Sequence, residues 1–403
     1  MSTTSSTPPN SDLRPPNPAA SAAVSPPISP LPSPISAARA AAPPSPISDL
    51  RTPISAAVTA ASPPPISDLR SSISAAAVAA PRGVTGNILT SDAAGATKTE
   101  TAPFGHALVR AGERDPRIVG LTADLGKYTD IHVFADKFPT RFFQMGMAEQ
   151  SLIGAACGLA RTGLVPFATT YCVFATRRAY DFIAIGAALG RANVKIIAGL
   201  PGLSTGYGGT HQGIEDLALM RSIPGLTVID PCDATETAQA TAAIAEHDGP
   251  VYMRLLRGVV PVTLEPDYKF EIGKARLLCD GADVAFVSTG LMTTRALEAA
   301  RTLAATGVNA AVLHVSTIKP FDRAAVASLL ARVPRIVTAE NHMVTGGLAS
   351  AVADLAVDER LAIRLKRVGI PDCFCESGSL PYLAERYGMT AAHLVSAAQE
   401  ILR

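Results

Sequence analysis

The sequence predicts an α/β protein with two doubly wound domains, at residues 98–262 and 273–403, after a disordered tail at residues 1–97. Short apolar runs alternate with helix-like periods across short connections, and this alternation restarts after residue 272. The tail is predicted because 18 of the 32 prolines precede residue 99, whereas all 12 Phe and 8 Tyr follow residue 103. A proline-rich segment without aromatic residues buries too little apolar area to offset the entropy of ordering it.

The tail repeats itself with a step of 19 residues. Ile35-Ser36-Ala37-Ala38 recurs at Ile54 and Ile73, and Ile47-Ser48-Asp49-Leu50-Arg51 recurs at Ile66. The aliphatic residues are isolated between prolines, so successive repeats share no continuous core of the kind that a solenoid needs. We interpret the tail as a duplicated low-complexity extension or the product of a start codon assigned too far upstream. The alternative is a docking arm built on the Ile-Ser-Asp-Leu-Arg unit.

Strand and helix patterns alternate throughout the first predicted domain. The predicted strands are 117–121, 142–145, 164–169, 194–198, 227–230 and 251–255. The predicted helices are 104–112, 149–161, 174–189, 214–222 and 234–246. Because parallel strands need crossover connections of about this length, the alternation predicts a parallel sheet with helices on both faces.

A shorter alternation follows a segment without clear periodicity at residues 262–272, which we interpret as a linker. Strands are predicted at 284–288, 309–314 and 335–339, and helices at 293–306, 322–332 and 347–357. This second set predicts a smaller α/β domain.

Charge and cysteine content exclude several classes of protein. The chain has a formal net charge of +1, and only 29 basic against 30 acidic residues follow residue 98, so no nucleic-acid-binding face is expected. No apolar run approaches the roughly 18 residues that span a bilayer, and no signal-peptide pattern begins the chain, so we expect a cytoplasmic protein. The six cysteines fit reduced thiols, and the Cys373-x-Cys375 pair lacks further ligands, so no metal site is predicted.

Two motifs place polar or aromatic side chains where a predicted strand meets a helix. In Gly146-Met147-Ala148-Glu149-Gln150, Glu149 begins a helix of small apolar residues. It is either a charge favoured by the helix dipole or a buried carboxylate aimed at a ligand nitrogen. Tyr171 and Phe174 lie three residues apart at the next helix start, and their rings either pack in the core or form a platform for a flat heterocycle.

Two further motifs follow later strands. His211 lies in the glycine-rich segment Gly208-Gly209-Thr210-His211-Gln212, ahead of a helix, where α/β proteins bind ligands. A purely structural histidine is the alternative. Arg254 and Arg257 end the last strand of the first domain, where they either form salt bridges or bind an anion.

In this order, the motifs resemble those of the transketolase family over roughly residues 100–403. The segments that resemble its pyrimidine-binding domain are 123–126, 138–150, 174–181 and 210–216. Those that resemble its C-terminal domain are Thr338-Ala339-Glu340-Asn341-His342, with Gly346-Gly347, and Glu376-Ser377-Gly378. The resemblance implies that residues 98–262 form a pyrimidine-binding domain for thiamine diphosphate, and residues 273–403 a transketolase C-terminal domain.

The resemblance also implies residues that contact the cofactor. Glu149 matches the glutamate that hydrogen-bonds the pyrimidine of thiamine diphosphate and activates it. Phe174 and Tyr171 match the aromatic wall against that ring, and Asp124 matches an aspartate near the cofactor.

On the substrate side, His211 matches the histidine that binds a donor hydroxyl and assists proton transfer. Arg257 matches an arginine that binds the phosphate end of the substrate. The loop before His211 lacks the acidic residue that transketolases usually carry there. We therefore expect an atypical donor or acceptor sugar, with Lys127, Tyr207 and Arg257 shaping its pocket.

The family holds the diphosphate and Mg²⁺ through a Gly-Asp-Gly motif in a separate domain, and this sequence contains no such motif. The resemblance therefore implies one subunit of a split transketolase, which transfers a two-carbon ketol unit from a ketose to an aldose. We expect it to need a partner subunit that carries the Gly-Asp-Gly motif and binds the metal, and to form a heterotetramer with it. The alternatives are a subunit that acts like 1-deoxyxylulose-5-phosphate synthase or decarboxylates 2-oxo acids, and a non-catalytic regulatory subunit.

Overall fold

The computed structural model describes residues 98–265 and 267–403. The predictions for the tail at residues 1–97 lie outside these residues. Within them, no helix is both long and apolar enough to cross a membrane.

Six parallel strands form the body of the first sheet. In chain order, the strands up to residue 261 are β1 (Thr99–Thr101), β2 (Ile118–Thr122), β3 (Phe142–Gln144), β4 (Val165–Tyr171), β5 (Lys195–Gly199), β6 (Thr227–Ile229), β7 (Val251–Leu255) and β8 (Val259–Pro261). The spatial order is β6-β7-β5-β4-β2-β3, and every neighbouring pair is parallel. Strands β1 and β8 form a separate antiparallel pair, which the sequence did not predict.

Helices connect these strands and cover both faces of the sheet. They are α1 (Pro103–Arg114), α2 (His132–Lys137), α3 (Glu149–Arg161), α4 (Cys172–Asp181), α5 (Asp216–Ser222) and α6 (Ala234–Glu246). Helix α4 continues as a π-helical segment over Phe182–Leu189. Adjacent residues of the central strands enter different cores: Ile196 packs with Leu152 on one face, whereas Ile197 packs with Phe104 on the other. This alternation explains why the strands are apolar throughout rather than at every second residue.

The second domain has a five-stranded sheet. Its elements include the strands β9 (Arg276–Cys279), β10 (Val284–Ser288), β11 (Ala310–His314), β13 (Arg335–Met343) and β14 (Arg364–Ile370) and the helices α7 (Leu291–Ala304), α8 (Arg323–Arg332), α9 (Leu348–Asp358), α10 (Leu380–Arg386) and α11 (Ala391–Leu402). The order is β14-β13-β10-β11-β9, with only β9 antiparallel to its neighbour. Parallel α/β architecture in both domains confirms the predicted fold class.

A strand of the second domain completes the sheet of the first. Strand β12 (Thr317–Lys319) pairs antiparallel with β6, and Thr317 lies opposite Ile229. It forms the seventh strand of the first sheet. The two sheets are therefore joined by backbone hydrogen bonds as well as by side-chain packing.

A buried polar cluster also crosses this junction. His314 Nε2 at the end of β11 lies 2.7 Å from Glu236 Oε2 on α6, and Tyr268 in the linker donates a 2.6 Å hydrogen bond to Glu236 Oε1. Cys232 contributes its backbone N–H to Glu236 Oε2 at 2.8 Å. Burial by itself would lower the pKa of His314, but the Glu236 carboxylate raises it above its ordinary value. The two carboxylate oxygens are thus already bonded within the protein, so the cluster joins the domains rather than presenting open ligand positions.

Candidate active site

Glu149 lies where the resemblance requires a carboxylate, at the start of α3 beyond the end of β3. The chain reaches it through Gly146, whose φ of +71° is in the left-handed region that favours glycine. The residue is only 5% exposed. Its Oε1 accepts a 3.0 Å hydrogen bond from Arg178 Nη1. Glu149 is therefore a buried carboxylate paired with a guanidinium, and its contact with a ligand nitrogen stays a prediction.

Four rings form a cluster beside this carboxylate. The Tyr171 and Phe174 rings lie 5.7 Å apart at 30°, and the His211 ring meets Phe174 edge-on at 5.4 Å. Tyr207, which is 46% exposed, lies 5.5 Å from His211 on the outer side. Burial raises the pKa of Tyr171 to about 12, so its hydroxyl stays protonated at neutral pH. Four of the predicted site residues thus meet in one place.

Both rings lie at a helix start, as predicted, but Tyr171 also ends a strand. Tyr171 is the last residue of β4 and the N-cap of α4, so its ring comes from the sheet edge while Phe174 comes from the first helical turn. The strand extends two residues beyond its predicted end because Thr170 and Tyr171 still pair with Ala198 and Gly199 of β5.

Arg178 is part of the site, although the sequence analysis assigned it no role. Its guanidinium carbon lies 4.1 Å from the centre of the Phe174 ring while Nη1 bonds Glu149. Phe174 and Glu149 therefore already hold one flat group that carries N–H donors. The same pair fits the aminopyrimidine of thiamine diphosphate, which is also flat and carries nitrogen groups.

The second domain supports the loop that carries His211. The N–H of Gly378 donates a 3.1 Å hydrogen bond to the carbonyl of Gly206. Gly208 has φ +82°, and a Cβ at this position would lie 2.5 Å from Ser377 Oγ. Gln212, buried behind the loop, donates to the Glu376 carbonyl at 3.3 Å. The Glu376-Ser377-Gly378 motif therefore acts as the surface against which the histidine loop rests.

Arg177 fixes the same loop from α4. Its Nη2 donates to Glu215 Oε2 at 3.0 Å, and its Nη1 donates to the carbonyl of Gly209 at 3.2 Å. Glu215 in turn accepts from the N–H of Ile214 at 3.1 Å. Arg177 and Arg178 thus point to different partners, one to the histidine loop and one to the carboxylate. The sequence, in which the two arginines are adjacent, does not indicate that they bond different partners.

Asp124 and Lys127 lie beyond the end of β2. Asp124 is exposed, has φ +60°, and is held by Gln144, which accepts from its N–H at 2.8 Å and donates to its Oδ1 at 3.1 Å. Lys127 is exposed at the start of a short 3₁₀ turn. It is the neighbouring Tyr128, missed by the sequence analysis, that reaches the ring cluster, 6.4 Å from Tyr171.

The two arginines at the end of β7 have different environments. Arg254 is fully buried and bonded to Asp216, with Nε 2.8 Å from Oδ2, and to Asp230, with Nη1 3.2 Å from Oδ2. Of the two alternatives, a salt bridge or an anion site, Arg254 therefore forms the salt bridge. Arg257, 8% exposed, lies with its guanidinium carbon 5.5 Å from the centre of the Tyr128 ring. It is the arginine that lies next to the ring cluster.

The loop after β5 is fixed by the second domain. Asn341 Oδ1 accepts a 2.8 Å hydrogen bond from the N–H of Leu203, and Asn341 Nδ2 donates to the Pro201 carbonyl at 3.1 Å. The Thr338–His342 motif, which the sequence indicated as a signature, lies within β13 and serves this junction. Its contribution is to position the edge of the site.

The site residues share one edge of the first sheet. They follow the carboxyl ends of β2, β3, β4, β5 and β7, where doubly wound proteins bind their ligands. The fold and this edge define an α/β ligand-binding protein with a buried carboxylate beside an aromatic cluster. The chain belongs to the transketolase family. The family model for the transketolase pyrimidine binding domain matches residues 97–263, and that for the transketolase C-terminal domain matches residues 273–394.

Three similar proteins match this chain over more than nine tenths of their own length. The chain is 54% identical to a transketolase family protein of Sinorhizobium fredii over 79% of its own length and 94% of that protein. It is 43% identical to the 6-deoxy-6-sulfo-D-fructose transketolase subunit of a Clostridium species, over 73% of this chain and 91% of that one. A solved structure described as a split gene transketolase, inactive beta4 tetramer, superposes with a TM-score of 0.70 at 44% identity and covers 75% of this chain and 97% of that one.

Longer enzymes match as well. The chain is 37% identical to the 1-deoxy-D-xylulose-5-phosphate synthase of Heliobacterium modesticaldum, over 75% of its own length but only 47% of that enzyme. Transketolases and these synthases generally use thiamine diphosphate. The predicted family is thus confirmed.

Proposed function

We propose that the chain is one subunit of a thiamine-diphosphate-dependent transketolase that transfers a two-carbon ketol unit from a ketose donor to an aldose acceptor. The observation that carries the proposal is the clamp of Glu149 and Phe174, with His211 edge-on to the same ring. A carboxylate and a ring face around one flat group are the two contacts that an aminopyrimidine needs. The predicted domains, 98–262 and 273–403, are the two units that we propose contribute to the site.

The residues of this chain would divide the work as follows. Glu149 and Phe174 hold the pyrimidine, with Tyr171 behind Phe174 and Asp124 at the edge of the cofactor site. When bound, thiamine diphosphate supplies the carbon nucleophile that takes up the ketol unit. Glu149 would hold the pyrimidine through its carboxylate, which is the group that would exchange a proton with a ring nitrogen.

His211 is the residue that we propose for protons on the substrate side. Its Nδ1 lies 2.9 Å from the hydroxyl of Thr210, which holds the ring in one orientation. Nε2 is then the nitrogen that bonds a donor hydroxyl and transfers its proton. The contacts of Gly208 and Gly209 with the second domain and with Arg177 keep this nitrogen in place.

The substrate end opposite the reacting carbon is proposed to be anionic. Arg257 is almost buried at the ring cluster, and a buried guanidinium favours a phosphate or sulfonate group. Lys127 and Tyr207 are both exposed, and we propose that they shape the entrance to the substrate pocket. The similar Clostridium subunit is named for a sulfonated ketose, so a sulfonated donor belongs in the test beside phosphorylated ones.

The partner is proposed to supply the diphosphate and Mg²⁺ site through a Gly-Asp-Gly motif and to form a heterotetramer with this chain. The similar split-gene protein is described as an inactive beta4 tetramer, which supports inactivity of this kind of subunit alone. The decisive experiment compares the purified chain with the chain co-purified with its partner, both with thiamine diphosphate and Mg²⁺. Ketol transfer that occurs only with the pair supports the proposal. Equal transfer by the single chain contradicts it.

A second candidate is synthesis of 1-deoxyxylulose 5-phosphate or another 2-oxo-acid decarboxylation. The 37% identity to a synthase of that name, over 47% of that enzyme, favours it. Release of carbon dioxide from pyruvate by the assembled pair, with no transfer from any ketose, would decide for this candidate.

A further inference from the structure

The Arg178 guanidinium occupies the clamp that the proposed function gives to the cofactor. Its guanidinium carbon lies over the Phe174 ring, 4.1 Å from the ring centre. Its Nη1 donates to Glu149 Oε1 at 3.0 Å. An aminopyrimidine would use the same two groups, the face of the Phe174 ring and the carboxylate that accepts an N–H.

Helix geometry places Arg178 in this position. Phe174 and Arg178 are four residues apart on α4, so their side chains share one helix face. A long side chain on a helix leans towards the helix N-terminus, which brings the guanidinium back over the preceding turn and Phe174. Glu149 comes from the start of α3, which packs against α4. The packing of α3 against α4 is therefore sufficient to bring Arg178 into contact with both Phe174 and Glu149.

Arg178 is the more exposed member of the pair that it forms with Glu149. Its side chain is 54% exposed, whereas that of Glu149 is 5% exposed. The long arginine side chain can swing into solvent at the loss of one partly exposed ion pair and one cation–π contact, both of ordinary strength. Glu149 cannot move away in the same manner. The arginine, not the carboxylate, is the movable member of the pair.

We propose that Arg178 is a placeholder for the aminopyrimidine ring, which keeps the carboxylate paired before cofactor binding and must leave the clamp when the cofactor enters. The inference rests on the proposed function and identifies a residue that sets cofactor affinity. A buried carboxylate without a partner is costly, so the placeholder stabilises the cofactor-free protein. It also lowers apparent affinity, because only the fraction of molecules with an open clamp can bind.

The test is the affinity of the assembled pair for thiamine diphosphate in the presence of Mg²⁺, measured by titration calorimetry. Three variants of the full chain are compared with the wild type. Arg178→Met removes the planar cation, and Arg178→Lys keeps the charge but not the flat face. Arg110→Met removes the same charge from an exposed position on α1.

The expected result is tighter binding by Arg178→Met, with a dissociation constant lower by about two- to fivefold, the factor expected when a partly exposed ion pair no longer competes. Arg178→Lys should lie between this variant and the wild type, and Arg110→Met should match the wild type. If the wild-type pair binds thiamine diphosphate and the Arg178→Met pair binds it equally well or more weakly, the placeholder proposal is overturned and the proposed function is not. If the wild-type pair does not bind thiamine diphosphate, the proposed function fails and the placeholder fails with it.

A second readout uses the 4-amino-5-hydroxymethyl-2-methylpyrimidine fragment, which reaches the clamp without the diphosphate. The same ranking of variants is expected for this fragment. An improvement confined to intact thiamine diphosphate would indicate that Arg178 acts on the diphosphate end, and it would overturn the placement of the guanidinium in the ring site.

Discussion

His314 Nε2 lies 2.7 Å from Glu236 Oε2, and this fully buried contact joins β11 of the second domain to α6 of the first. The two residues are 78 positions apart in the sequence. Thr293 Oγ1 bonds the other ring nitrogen at 2.7 Å, so both nitrogens of His314 have partners. The pair is therefore a structural joint whose strength depends on proton binding.

The first prediction concerns the pH dependence of this joint. His314 has a raised pKa, so its contribution to stability is complete below its ordinary value of 6.5 and is lost as pH rises through the folded-state pKa. Glu236 has a lowered pKa, so its contribution is complete above its ordinary value of 4.5 and is lost as pH falls. Asp230 and Asp233 also face His314 and support its charged form. Between about pH 4.5 and 6.5 the joint should be strongest.

Measurement of this prediction uses urea unfolding of His314→Leu and of the double variant His314→Leu/Glu236→Leu. At pH 6 the single variant should lose about 3 kcal/mol, because a buried carboxylate remains without its partner. The double variant should lose less. A gap between wild type and His314→Leu that widens from pH 6 to pH 9 would contradict the assigned direction.

The second prediction concerns Glu149. In the assembled pair, Glu149→Gln should lower kcat by about 100-fold or more, because an amide cannot carry out the proton exchange that we propose for the carboxylate. Glu298→Gln, an exposed change on α7, is the matched control and should keep wild-type activity. Steady-state kinetics at saturating donor separate the two. Equal activity of Glu149→Gln and wild type would favour a non-catalytic subunit.

The third prediction tests the support of the histidine loop. Gly208→Ala and Gly307→Ala both place a side chain at φ +82°, but a Cβ at Gly208 would lie 2.5 Å from Ser377 Oγ, whereas one at Gly307 would have no neighbour within 4 Å. Both variants should lose about 1–2 kcal/mol of stability from backbone strain. Only Gly208→Ala should also raise KM for the donor, since it displaces His211. Thermal unfolding and donor titration give the two readouts, and parallel kinetic losses in both variants would exclude a local effect.

The fourth prediction concerns the anion at the far end of the substrate. Arg257→Gln should raise KM for phosphorylated or sulfonated donors by roughly 10- to 100-fold, the loss expected for one charge-assisted hydrogen bond. Donors without an anionic group should be unaffected, and Arg301→Gln, an exposed change on α7, serves as the control variant. If neutral and anionic donors suffered alike, Arg257 would be assigned to general structure rather than to anion binding.

Helices α3 and α6 have the predicted ends, and α6 also has a local signal at its start. Asp233 caps α6 by accepting from the N–H of Glu236 at 2.8 Å, a contact between residues three apart. Such signals involve residues within one helical turn, so they can be recognised from the sequence without knowledge of the rest of the fold.

The elements that escaped prediction depend on distant partners. Strand β12 has three residues and is defined by its antiparallel pairing with the edge strand β6. Strand β13 runs to Met343 because its last residue still pairs with Ile370 of β14. Isolated three-residue patterns carry too little periodicity to be recognised, and their conformation is set by tertiary pairing.

The candidate site also contains residues that the sequence could indicate and residues that only the tertiary structure reveals. Glu149, Phe174 and His211 stand in recognisable motifs, and the fold brings them together; their roles remain predictions. Arg178 and Tyr128 could not be selected, because an arginine on an exposed helix face or a tyrosine in a loop is ordinary in sequence. Only the close approach of Arg178 to Phe174 and Glu149 distinguishes it.

The pairing of β12 with β6 means that the linker at residues 262–272 divides the sequence but not the sheet. A fragment ending at residue 262 would retain its six parallel strands and expose the N–H and C=O groups of the β6 edge. Exposed edges of this kind recruit strands from other molecules. Expressed alone, residues 98–262 should therefore aggregate through β6, so fragments for crystallisation or binding work should retain β12 together with the rest of the second domain.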